Sequence, residues 1–96
     1  MDNFVIGTIV KSIAGHDQNN FFVILNVENE YVYLVDGKTR TLAKPKKKKK
    51  KHIHITSGVN EQFVSRLNNN ELLDAHIRKY IREEIKKQSD NSQVMI

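Results

Sequence analysis

The chain has 96 residues, no cysteine, and 16 Lys and Arg against 11 Asp and Glu, for a net charge of +5. That length holds one small domain, or one with a helical appendage, and its 39% apolar content supports only a modest core. Disulfide scaffolds and thiolate metal sites are excluded, and no apolar run approaches the ~18 residues of a membrane-spanning helix.

The start, Met1-Asp2-Asn3-Phe4, lacks a basic segment, and the apolar stretch after it is broken by Gly7. No signal peptide is expected, and the reading is a soluble, cytoplasmic protein with no membrane contact. Residues 5–13 are rich in β-branched side chains and are bounded by Gly15, which predicts a first strand. Residues 21–27 form a strongly apolar second strand, followed by the polar turn Glu28-Asn29-Glu30 and a third strand over 31–35. Asp36-Gly37 is a strong short-range hairpin signal, because both central positions of such a turn need positive φ. It predicts a fourth strand over 39–43, and residues 52–56 supply a fifth. Five short strands with tight turns predict a small closed or half-closed barrel over residues 1–57, self-contained in its turns and apolar strands.

After Ser57-Gly58 the period changes. Residues 60–67 predict a short helix capped by Asn60. A longer helix is expected from Asn68 or Asn70, with Glu71 three residues after Asn68 completing a variant capping box. Leu73, Ile77, Ile81 and Ile85 recur every fourth residue and form one apolar stripe, widened by Leu72 and Tyr80. Residues 58–88 are thus a helical appendage packed on the barrel, and residues 89–96 read as a disordered tail. The fold class is mainly β with C-terminal α.

The charge is segregated. Residues 37–56 carry nine bases and no acid, whereas residues 1–36 carry one base, Lys11, against five acids. Lys44 and Pro45 lead into six consecutive lysines, Lys46, Lys47, Lys48, Lys49, Lys50 and Lys51. Six adjacent ammonium groups repel one another and cannot be buried together; the densest biological anion for them is a nucleic-acid backbone. The run predicts a charged loop between strands, with Pro45 setting an extended approach and unable to join a central ladder. Lys11, Lys38 and Arg40 group with it as a shared anion-facing surface. His52 and His54 lie two apart on one strand face, where they can stack on bases or bond 2′-hydroxyls. No third ligand is fixed near them, so no metal is expected. The chain has no cysteine nucleophile, no phosphate-cradling glycine loop and no convincing carboxylate pair on one element. It reads as a non-enzyme without a cofactor.

Gly7-Thr8-Ile9-Val10-Lys11-Ser12-Ile13-Ala14-Gly15-His16-Asp17, followed by the strand from Phe21, resembles a KOW motif. The later stretch Asp36-Gly37-Lys38-Thr39-Arg40-Thr41-Leu42, then Lys44-Pro45-Lys46 and Lys51-His52, fits the same pattern. The chain is similar over about residues 4–56 to the KOW-domain RNA-binding proteins of Gram-positive bacteria, whose relatives include barrel domains of archaeal and eukaryotic-type ribosomal proteins. The resemblance implies an SH3-like barrel that binds structured RNA, ribosomal RNA foremost, as a monomer and with ribosomal proteins as possible neighbours. His16 and Gln18, on the Ala14-to-Asn19 turn, are further candidate RNA contacts beside the basic residues above. Such motifs usually continue with Lys and Gly where Gln18 and Asn19 stand here. Asn tolerates positive φ, so the turn survives, but a phosphate contact is lost and more weight falls on the lysine run. The rival reading is a protein–protein adaptor that docks on transcription or translation machinery through its barrel or second helix, with lysines adding only nonspecific attraction.

Overall fold

The computed structural model describes residues 3–94. Five antiparallel strands, β1 (Thr8–Ser12), β2 (Phe21–Glu28), β3 (Tyr31–Val35), β4 (Lys46–Lys49) and β5 (Ile53–Val59), precede helices α1 (Glu61–Asn68) and α2 (Asp74–Val94). The sheet order is β4-β3-β2-β1-β5. The ladder is open, with β4 and β5 as its two edges. Two turns use asparagine at positive φ, Asn19 (73°) between β1 and β2 and Asn29 (55°) between β2 and β3.

The fourth strand corrects the sequence expectation. Residues 39–43 form no strand, because carboxylates take the backbone donors that a ladder would use. Asp36 Oδ1 accepts from the N–H of Lys38 (2.9 Å) and of Arg40 (2.8 Å). The N–H of Leu42 donates to Asp74 Oδ1 of α2 at 2.9 Å. Side-chain acceptors compete in this way with sheet pairing. The chain instead turns at Thr41–Lys44, and the strand begins directly after Pro45. Lys46–Lys49 are therefore not a loop but an edge strand, paired Leu34↔Lys46, Val32↔Lys48 and Tyr31↔Lys49, and the run ends in a 3-10 turn, Lys50–His52. Lysine is a common edge residue, because its charge discourages pairing with another chain.

Two cores lie on opposite faces of the sheet. The inner one joins Val10, Phe22, Ile24, Val32, Leu34 and Ile53, with Phe4, Val27 and Ile55 packed against it. The outer one joins Ile9, Val23 and Val35 to Phe63 of α1 and to Ile77, Tyr80 and Ile81 of α2. Arg66 Nε of α1 donates to the Tyr80 hydroxyl at 3.0 Å. The helices thus cover one face of the sheet, and β5 runs past residue 57 to Val59. The sheet and helices share a core across the expected boundary.

Asn60 caps α1 as expected, accepting from Phe63 N–H at 2.9 Å. The start of α2 differs from expectation. The N–H of Asn70 bonds Leu67 O and that of Glu71 bonds Arg66 O, while Asn70 has φ 58°. This is a Schellman termination, so Asn70 ends α1 rather than starting α2. The second helix begins at Asp74, with His76 Nδ1 accepting from Leu73 N–H at 3.0 Å in place of a capping-box glutamate. Its buried stripe is Ile77, Tyr80, Ile81 and Glu84, whereas Leu73 (60%) and Ile85 (48%) are exposed. The helix backbone continues to Val94 through part of the segment expected as a tail; residues 95 and 96 lie outside the described residues. No described helix is long and apolar enough to cross a membrane.

Candidate nucleic-acid interface

A strand sends alternate side chains to opposite faces. The four lysines of β4, contiguous in sequence, are therefore separated onto two faces. Lys46 and Lys48 turn to the inner side. Lys48 Nζ donates to the Ala14 carbonyl at 2.8 Å and lies 3.7 Å from Asp17 Oδ2, with its side chain only 9% exposed. Lys46 Nζ approaches the same carboxylate oxygen at 3.8 Å. These two cations are committed to the turn between β1 and β2.

Lys47 and Lys49 turn outward, onto the face that carries Tyr31 and Tyr33. Lys47 Nζ sits 4.5 Å from the Tyr31 ring centroid and 5.9 Å from that of Tyr33, a cation–π arrangement. It also pairs with Glu28 at 3.6 Å, but both side chains are about half exposed, and such a pair yields readily to another anion. Tyr33 Oη donates to the same carboxylate at 3.2 Å. Two half-exposed tyrosine rings on one strand face are thus bordered by ammonium groups. Beside them, Lys49, Lys50 and Lys51 line a depression of about 420 Å³ together with Asn29 and Glu30. Lys50 also lies 5.8 Å from the Phe4 ring centroid, and Lys51 is exposed.

The other expected residues fall in five places. His52 does not share a strand face with His54, because it ends the 3-10 turn Lys50–His52 ahead of β5. His16 and Gln18 are exposed on the β1–β2 turn, which Asp17 holds against β4, so the lysine run and this turn are brought together. Lys44 is exposed at the turn before Pro45. Lys11 and His54 are cross-strand neighbours, and Lys11 Nζ lies 5.7 Å from the Phe21 ring; they stand at the opposite end of β2 from Tyr31. Lys38 and Arg40 belong to the loop that packs on α2. Arg40 Nε is buried without a partner among the described residues, and the Arg40 carbonyl accepts from the N–H of Asp36 and Gly37. Arg40 is thus a loop-closing residue more than an anion contact.

Sequence reasoning missed Tyr31 and Tyr33 as site residues, although their spacing of two puts them on one strand face. It also missed Asp17, whose role depends on a strand three turns away in the chain. Among the described residues, no three His, Asp or Glu side chains stand together to hold a metal ion. No protein-family model and no curated protein sequence matches the chain.

Proposed function

We propose that the chain is a non-catalytic RNA-binding protein of the KOW type, acting on ribosomal or other structured RNA in the cytoplasm. The observation that carries this reading is the outward pairing of Lys47 and Lys49 with Tyr31 and Tyr33 on one solvent-open strand face. Phosphates bind the ammonium groups of Lys47, Lys49 and Lys51, and unpaired bases stack on the tyrosines, the combination by which proteins hold single-stranded loops. Phosphate contacts fix position, and the His16 and Gln18 side chains on the adjoining turn reach base or 2′-hydroxyl groups. An SH3-like barrel is supported by the strand-only inner core and by Lys48, which reaches from the sheet edge to Ala14 on the β1–β2 turn.

Competition binding at physiological salt tests the proposal. Structured RNA outcompetes duplex DNA of equal length and charge, because duplex DNA offers phosphates but neither unpaired bases nor 2′-hydroxyls. Equal affinity for both overturns the proposal and leaves the adaptor reading in the lead.

A further inference from the structure

The seam between the sheet and α2 holds a second basic surface. Lys38, Arg78 and Arg82 line an open groove of about 510 Å³ whose apolar wall is Phe21, Ile81 and Ile85. The acid in its lining, Asp36, already uses one carboxylate oxygen to hold the backbone N–H groups of Lys38 and Arg40. Arg78 Nη1 donates to the Gly37 carbonyl, and Asp74 accepts from Leu42. Both bonds tie the 36–42 loop to α2, so the two walls of the groove are held in a fixed relation. Among the described residues, neither the Lys38 ammonium nor the Arg82 guanidinium is paired with a carboxylate.

We propose that this groove binds a 5′-phosphorylated nucleoside, with the phosphate on Lys38 and Arg82 and the base against Phe21, Ile81 and Ile85. The ligand is either a free nucleotide or an unpaired residue of an RNA strand, which share this chemistry. Three cations beside an apolar, partly aromatic wall match a group that is anionic at one end and flat and apolar at the other. The exposed Ile85 then gains a covering partner. The site is distinct from the Tyr31 platform: Phe21 and Glu28 are the two ends of β2, about 20 Å apart at the usual rise per residue.

Titration of the whole chain, followed by amide chemical shifts, tests the proposal with three probes: adenosine 5′-monophosphate, adenosine, and a single-stranded RNA hexanucleotide. The nucleotide, the hexanucleotide or both shift the amides of Phe21, Lys38 and Arg82 saturably. Response to the nucleotide identifies a free-nucleotide site, and response to the hexanucleotide alone identifies RNA as the source. Lys38→Gln with Arg82→Gln weakens that binding by about tenfold or more, whereas Lys47→Gln with Lys49→Gln leaves it unchanged. Silence of these amides toward both phosphorylated probes overturns the proposal, as does equal binding of adenosine and its monophosphate. Failure of the platform as an RNA surface does not touch this test, because the groove is read from its own amides.

Discussion

Lys48 Nζ donates to the carbonyl of Ala14 at 2.8 Å, across 34 residues of chain. Its neighbour Lys47, identical in sequence terms, instead faces solvent over two tyrosine rings. The pleat of the strand alone separates these two roles.

Stability separates them too. Lys48→Gln withdraws a hydrogen bond and an ion pair from a nearly buried position, leaving Ala14 O and Asp17 under-satisfied. Urea unfolding shows a loss of about 1–3 kcal/mol. Lys47→Gln on the exposed face stays within about 0.5 kcal/mol of the parent. Equal effects of the two substitutions contradict the alternation.

Gly37 and Gly58 form a second contrast. Gly37 has φ +77°, and an added Cβ would collide with the Asp74 carbonyl and crowd Arg78. Gly37→Ala therefore costs more than about 1 kcal/mol in thermal or urea unfolding. A Cβ at Gly58 meets nothing within 4 Å, so Gly58→Ala is neutral or stabilising by about 0.4–1 kcal/mol. A tolerated Gly37→Ala would place the 36–42 loop away from α2.

The helices complete the sheet. Ile9, Val23 and Val35 are covered by Phe63, Ile77, Tyr80 and Ile81, and the N–H of Asn60 bonds Gly7 O. A fragment of residues 1–57 loses that cover and the end of β5. It shows no cooperative unfolding transition and exposes apolar surface to a dye such as ANS. A dispersed amide spectrum from the fragment would make the sheet an autonomous unit.

Much of the sheet was legible because its cues are local. The apolar runs from Phe21 and Tyr31, the asparagine turns and the Asn60 cap all act within a few residues. The fourth strand was not legible. Repulsion between adjacent lysines argues against order only if they share a face, and a strand places neighbours on opposite faces. The β-prone residues 39–43 lost their ladder partly to Asp74, a distant acceptor in the second helix. The apolar stripe of α2 was placed in part: Ile77, Tyr80 and Ile81 are buried as expected, but the helix also turns Glu84 inward and leaves Leu73 and Ile85 outside. In the interface the basic residues were legible from charge, whereas the tyrosine platform emerged only once β4 was seen beside β3.

The salt dependence of RNA binding tests the central claim most directly. With three outward lysines on phosphate, Lys47→Gln, Lys49→Gln and Lys51→Gln together reduce the magnitude of the log–log salt slope by about 2, at ~0.7 per contact on single-stranded RNA, and leave the urea midpoint close to the parent. An unchanged slope in the folded triple variant contradicts the lysine–tyrosine face as the RNA-binding surface.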